Sequence, residues 1–559
     1  MDKLKPKLFS VMKTYTKEQF VKDVIAGIIV AIIALPLSIA LALASGVTPE
    51  RGLYTAIVAG FVISFLGGSR VQISGPTAAF ATIVAGIVAK NGMEGLVVAT
   101  IMAGIMLIVM GLLKFGRLLK FIPFTITTGF TLGIAVTIFI GQIKDFLGLT
   151  LHTKPVETIE KLFACFESIA TINLQALLIG AISLAILILW PKINNKIPAS
   201  LIAVVVAAAV VKISDMDVNT IGSLYEISSK PPTFQLPKIN LSMINTMFPD
   251  AITIAVLAGV ESLLSCVVAD GMIGSKHRSN MELVAQGTGN ILSSLFGGIP
   301  ATGAIARTAA NVKNGGRTPI AGMVHAVTLF LILVVLMPYA ALIPMPTIAA
   351  ILFMVAYNMS DWREFVSLVK KSPKSDILVL VTTFALTVIF DLVVAIEIGI
   401  LMAAILFVKR MADVADIQKW TDLEDEGSED DLNDPDNIRK KKVPKNTLVY
   451  EINGPMFFGA ADKFMDISLD SHVKIVILRM KSVPAMDVNA LHTLNNVMKS
   501  CKKKHITLIL SHVQDQPLKM MQKAGFDKSL GEENFCDNID QALERAEMLQ
   551  RTMTHHAAS

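Results

Sequence analysis

Long uninterrupted apolar runs alternate along this chain with short polar connections. Val24 to Leu43, Leu96 to Leu113, Leu177 to Leu189 and Ala326 to Leu336 are the clearest. About 20 such residues carry a helix across a bilayer core, and several of the runs reach or approach that length. Core helices of a large soluble protein alternate apolar and polar faces, and these do not. The pattern therefore predicts a polytopic α-helical membrane protein. A polar, basic stretch (Lys3, Lys5, Lys7, Lys13, Lys17) precedes the first run, which is too long for the apolar region of a signal peptide.

Composition agrees. Over 559 residues the chain is 53% hydrophobic and only 17% charged, with a mean hydropathy of +0.60, too little charge for a soluble protein of this length. Cys165, Cys266, Cys501 and Cys536 are scattered and form neither a metal-ligand spacing nor a disulfide framework. No metal or cofactor is expected.

The distribution of charge sets an orientation. With the N-terminus inside, basic residues cluster in connections that should face the cytoplasm: Lys114, Arg117 and Lys120; Lys192 and Lys196; Lys276 and Arg278; Lys313 and Arg317; Arg363, Lys370, Lys371 and Lys374. The alternate short connections, such as 337–346, are poor in charge. This follows the positive-inside rule with both termini cytoplasmic. Two longer external loops, near 144–172 and 213–248, carry some lysine, and long loops obey the rule less well.

After Arg410 the character changes. Residues 421–442 run from acidic to basic and read as a solvated linker. Beyond them, strands are expected at 447–452, 473–478 and 506–510. Helices are expected at 457–468, 488–501, 518–524 and 539–549, an alternation that predicts a small α/β domain. The organisation expected is thus a cytoplasmic segment 1–20, a transmembrane domain 21–410, a linker 411–443, an α/β domain 444–550 and a tail 551–559.

Two breaks in the hydrophobic pattern carry the chemistry. One is Ser74-Gly-Pro-Thr-Ala-Ala-Phe; the other, far downstream, is Gly298-Ile-Pro-Ala-Thr-Gly-Ala-Ile-Ala-Arg-Thr. Each has a Pro suited to a first helical turn, then small residues and a Thr. Paired interruptions in corresponding halves point to an inverted-repeat transporter. Helix N-termini leave N–H groups unpaired and present the positive dipole end, so two facing each other make an anion site. The bland alternative is a pair of Pro-kinked helices packed through small residues.

Arg307 is expected about two turns into the second short helix, where it would raise the positive potential around a bound anion; the alternative is an arginine snorkelling to the interface. Glu261, in another apolar run, either pairs with Arg307 or takes up and releases a coupling proton or cation, with Ser265 one turn on along the same face. Asp23, Asp391 and Glu397 read as interfacial.

Several motifs in order resemble the SulP anion transporters, bacterial relatives of the solute carrier 26 family. They are Leu35-Pro-Leu, Gly52-Leu-Tyr, Gly67-Gly-Ser-Arg, Ser74-Gly-Pro-Thr-Ala and Glu261-Ser. Asn280-x-Glu282-Leu-x-x-Gln286-Gly-x-x-Asn290, Phe296-Gly-Gly and Ala306-Arg-Thr continue the match, and the C-terminal part is similar to a STAS domain. The likeness is greatest to the branch that includes C4-dicarboxylate carriers.

The resemblance implies fourteen membrane segments in two inverted repeats of seven, divided into core and gate domains, with elevator-type alternating access. It implies an anion held between the third and tenth segments by Thr77, Ala78 and Ala79 and by Ala304, Ile305, Ala306 and Arg307, with Pro36 and Leu37 from the first. Many relatives have Gln where this chain has Leu37, which removes one polar contact. Some bicarbonate-carrying relatives bind sodium through Asp and Thr at the positions of Glu261 and Ser265; Glu favours a proton here. Family members are usually homodimers. In anti-sigma antagonists a phosphorylatable Ser follows an Asp where this chain has Asp487-Val-Asn489, so phosphorylation there is not expected; a nucleotide or a cytoplasmic protein remains a possible STAS partner.

The expectation is a non-enzymatic secondary transporter in a bacterial inner membrane, moving a C4-dicarboxylate with a proton and binding no nucleic acid. The alternatives are a sulfate or bicarbonate carrier, proton- or sodium-coupled, or an uncoupled exchanger or channel. A membrane anchor for a signalling domain and a nucleobase carrier fit less well, because neither explains Glu261 and Arg307.

Overall fold

A computed structural model describes residues 4–117, 123–153, 155, 157–194, 197–237, 240–390, 392–419, 441–460 and 472–558. The chain divides into two compact units, Met1–Leu401 and Met402–Ser559. Most of the linker expected at 411–443 and most of the helix expected at 457–468 lie outside the described residues, as do Lys120, Lys196 and Asp391.

The first unit is helical. Its first half contains α1 (Lys17–Ala44), α2 (Pro49–Leu66), the strand β1 (Ser74–Gly75), α3 (Ala78–Leu112), α4 (Phe124–Leu147), α5 (Leu174–Ile193) and α6 (Ala199–Ile213). Gly92, at φ +65°, breaks α3 into two limbs; only glycine adopts that backbone without strain. The second half contains α7 (Leu241–Ile273), α8 (Ser279–Leu295), the strand β2 (Thr302–Gly303), α9 (Ile305–Lys313), α10 (Pro319–Ala340), α11 (Met345–Ser360), α12 (Lys374–Ile389) and the start of α13 (Leu392–Val414), whose remainder counts with the second unit. With the limbs of α3 counted separately, and short surface helices set aside, the described residues give seven helices in each half, consistent with the 7+7 repeat.

The helices pack in two groups. α2, α3, α8 and α10 pack together with α1 and α7, whereas α4 packs on α11 and α12, and α5 on α6 and α11. Small residues let the first group approach closely. Gly104 of α3 and Gly287 of α8 face each other so tightly that a side chain on either would meet the other's carbonyl oxygen.

The short strands alter the expected grammar of the two breaks. β1 and β2 pair antiparallel, Ser74 opposite Gly303 and Gly75 opposite Thr302. Pro76 therefore precedes the N-cap Thr77, and Pro300 lies four residues before the N-cap Ala304, so neither proline is in a first helical turn. Arg307 is the third residue of α9 rather than two turns in. The reason is that extended backbone inside a membrane protein needs partners for its N–H and C=O groups, and each segment supplies them to the other before its helix begins.

The second unit is built on a five-stranded sheet in the order β3 (Asp416–Lys419), β4 (Thr447–Asn453), β5 (Ile475–Ser482), β6 (Thr507–Ser511) and β7 (Phe535–Cys536). β4 to β7 are parallel, and β3 runs antiparallel on the edge. Along β5, Ile475 and Ile477 face α16 (Ile539–Ala558), while Val476, Leu478 and Met480 face α14 (Val488–Lys503). α15 (Asp515–Lys523) adds Met521 to the α14 side.

The linker expected from 411 is corrected at its start, since helix continues to Val414 and 416–419 is strand. Asp416-Ile-Gln-Lys alternates exposed and half-buried, an edge-strand pattern that its charge conceals in the sequence.

Candidate functional site

The β1–β2 pair directs α3 and α9 away from a common point with their N-termini turned toward it. Neither helix has a side-chain cap. Thr77 occupies the N-cap of α3 but does not cap it, and Ala304 at the N-cap of α9 has no side chain to offer. Among the described residues no acceptor meets the backbone N–H of Ala78, Ala79, Ile305, Ala306 or Arg307. Uncapped donors and two positive dipole ends at one place have the chemistry that suits an anion.

Arg307 lies between the two ends, only 2% exposed. Its Nη2 donates to the carbonyl oxygen of Pro76 at 3.0 Å and to Ser38 Oγ at 3.5 Å. Among the described residues, its Nε and Nη1 are buried without a hydrogen-bond partner. Buried guanidinium N–H groups need an acceptor, and a bound oxyanion would supply one. Gly75 makes room for this arm: a Cβ there would stand 2.5 Å from Nη1.

Glu261 is half-buried on α7, and its Oε2 accepts from Thr77 Oγ1 at 3.0 Å. The direct pair with Arg307 considered from sequence is not formed, because the guanidinium turns to Pro76 and Ser38. Ser265, fully buried, reaches a different helix: its Oγ lies 3.4 Å from Thr308 Oγ1, which accepts from Ile73 N at 3.0 Å. α7 thus touches the entry of both short helices. Pro36 is buried inside α1 and Leu37 half-buried, with their neighbour Ser38 holding Arg307. Ala78 and Ala79 are buried, whereas Ile305 and Ala306 are exposed.

A network missed in the sequence braces this crossing. Glu282, 1% exposed, accepts at Oε2 from Gly68 N (2.8 Å) and Ser69 N (3.1 Å). At Oε1 it accepts from the amides of Gln72 and Gln286, both at 3.1 Å, and from Ser262 Oγ at 3.4 Å. Gln286 Nε2 also reaches Ser74 Oγ of β1 at 3.2 Å. Downstream, Asn290 clasps Ala301 from both sides, its Nδ2 donating to the carbonyl and its Oδ1 accepting from N–H. The available signal was the four-residue spacing of Glu282, Gln286 and Asn290, which puts all three on one helix face.

The Sulfate permease family model matches residues 20–383. The chain belongs to this family. A STAS domain model matches residues 438–542, over the parallel sheet of the second unit. The transporter is 42% identical over 535 residues to the putative sulfate transporter YvdB of Bacillus subtilis, covering 95% of this chain and 98% of that one. It is 30% identical over 541 residues to the bicarbonate transporter BicA of Synechocystis, covering 94% of each.

Among solved structures, the transmembrane domain of a cyanobacterium BicA matches with a TM-score of 0.62 at 29% identity, over 68% of this chain and 98% of that one. The overall structure of SLC26A9 matches with a TM-score of 0.87 over 98% and 93% of the two chains; at 19% identity this shows the fold alone. The permease is therefore a multi-pass membrane anion transporter with a C-terminal STAS domain, and not an enzyme.

Proposed function

We propose that this permease moves a compact inorganic oxyanion, sulfate first and bicarbonate second, by alternating access, with Glu261 as the group that couples transport to a proton. The observation that carries the reading is Arg307, fixed between two uncapped helix N-termini with Nε and Nη1 unpartnered. Each helix end contributes roughly half a positive charge. With the guanidinium, the total is about two, which suits a dianion whose charge is gathered at one point.

A C4-dicarboxylate, expected from the sequence, spreads its two charges several bonds apart and is supported less well. The relatives described above carry sulfate and bicarbonate names. Glu261 and Ser265 bond to different helices, which supports a proton more than a sodium ion chelated by both. The reading includes a homodimer in a bacterial inner membrane with both termini and the STAS domain cytoplasmic; the basic connections support that orientation.

The test is uptake of radiolabelled sulfate, bicarbonate and succinate into proteoliposomes with and without an inward proton gradient. Gradient-driven sulfate accumulation is expected, abolished in Glu261→Gln. Accumulation of succinate alone would restore the dicarboxylate reading, and flux indifferent to the gradient would replace symport with exchange.

A further inference from the structure

The segment before α1 straps across one end of the first unit. Lys7 N donates to the carbonyl of Gly67 at 2.8 Å and Lys7 Nζ to that of Lys276 at 2.7 Å. Arg278 Nη1 reaches the carbonyl of Lys5 at 2.7 Å, and its Nη2 reaches Ser10 Oγ at 3.0 Å. Under this strap lies a cavity of about 290 Å³, lined in part by Thr14, Tyr15, Gln19, Arg70, Arg317 and Thr318. A water occupies roughly 30 Å³, so a tetrahedral oxyanion fits with part of its hydration.

The hydrogen-bonding capacity at this cavity is not all used from within. Arg317 Nη1 is held by the carbonyls of Val312 and Gly316 at 2.7 and 2.8 Å. Arg70 makes no hydrogen bond or ion pair among the described residues, and its Nε is buried without a partner. The nearby carboxylate, Asp23, is saturated: it accepts from Tyr15, Gln19, Thr318 Oγ1 and the backbone N–H groups of Arg317 and Thr318. Asp270 is occupied by His277 at 2.7 Å. Burial first, then Arg278 and Arg70, hold the Lys7 amine below its ordinary value, as a locally positive surface requires.

We propose that this cavity is a second anion site, separate from the transport site, which takes a phosphate-type oxyanion between Arg70 and Arg317 and thereby fastens the N-terminal strap. A lone arginine with a buried, unpartnered N–H beside a polar cavity calls for an acceptor-rich ligand, and a phosphoryl group matches the guanidinium fork. The cavity joins the strap, through Thr14 and Tyr15, to Arg70, Arg317 and Thr318 of the helical core. It is independent of which anion crosses the membrane.

The ligand is either free phosphate or the headgroup of an acidic phospholipid, and one experiment separates them. Hydrogen exchange of residues 4–16 is followed in the full-length protein in nanodiscs of phosphatidylcholine, with and without inorganic phosphate, and in nanodiscs containing phosphatidylglycerol. The expected result is at least tenfold slower exchange in this segment when the anion is present, lost in Arg70→Gln and largely kept in Arg70→Lys. Arg317→Gln is a second variant should Arg70→Gln fold poorly. Slowing by phosphate in phosphatidylcholine identifies the free ion, and slowing only with phosphatidylglycerol identifies the headgroup. Equal exchange with and without both anions, in a folded wild type, overturns the proposal, as does slowing that persists unchanged in both glutamine variants.

Discussion

Thr77 Oγ1 donates to Glu261 Oε2 at 3.0 Å, and in doing so leaves the helix it begins without a cap. A threonine at that position ordinarily turns its oxygen back onto the N–H groups of the first turn. Here the hydroxyl points to α7, so the first-turn N–H groups stay free and the carboxyl of Glu261 is tied to the same spot. One residue therefore links the anion receptor to the proposed coupling group.

Thr77→Val removes that link without changing side-chain volume much. A hydrogen bond contributes about 0.5–1.5 kcal/mol, so sulfate uptake should fall by roughly twofold to tenfold in kcat/KM. The dependence on the proton gradient should weaken at the same time. Thr77→Ser should restore both, read by initial rates in proteoliposomes.

Arg307→Gln should lose at least about thirtyfold in uptake, because truncating one partner of a buried charge-assisted contact costs about 2–5 kcal/mol. Arg307→Lys should recover little, since an ammonium cannot hold Pro76 and Ser38 and still present a planar fork to the anion. Binding of labelled sulfate to the purified variants separates lost affinity from lost movement.

Gly75→Ala tests the geometry from the other side. Its Cβ would come within 2.5 Å of Arg307 Nη1, so the guanidinium must shift. Uptake should drop about as far as in Arg307→Lys while the melting temperature changes little. A variant that transports normally would mean the arm has slack the structure does not show.

Glu282→Gln should act on stability first. The amide nitrogen would face the N–H groups of Gly68 and Ser69, or the donors from Gln72 and Gln286, and one set must go unsatisfied. Leaving buried donors unpaired costs about 1–3 kcal/mol each. Thermal unfolding in detergent should show a lowered midpoint, with residual uptake below it.

In the STAS domain, burial pushes the Cys501 thiol up from 9.0 to about 11. The unfolded chain loses this proton near 9, whereas the folded domain resists until about 11. Its contribution to stability is therefore fully present below pH 9 and lost as pH rises from there through 11. Maleimide labelling of Cys501 in the native protein at pH 8 should be negligible and should appear on denaturation.

Much of this protein is determined by local pattern. The apolar runs, the basic connections, the two interruptions and the α/β alternation of the C-terminal domain are each legible because length and periodicity are properties of contiguous residues. The two helix starts followed from the same logic, since a proline, small residues and a break in hydrophobicity mark where a helix begins; the individual residues Ala78, Ala79, Ile305 and Ala306 were implied only by the family resemblance. The sequence likewise singled out Glu261 and Arg307, because an ionisable group in an apolar run is conspicuous by itself.

Partners were beyond its reach. Ser74 pairs with Gly303 across 229 positions, and that pairing moves both helix starts past their prolines. The same long-range closure turns Arg307 to Pro76 instead of Glu261, turns Thr77 away from its own helix, and gathers Gly68, Gln72, Ser262 and Gln286 around Glu282. The sequence by itself marked Glu261 and Arg307 as ionisable groups within apolar surroundings. Only the tertiary structure decided which hydrogen bonds they make, because inside a membrane each buried donor must find an acceptor in space, wherever along the chain it lies.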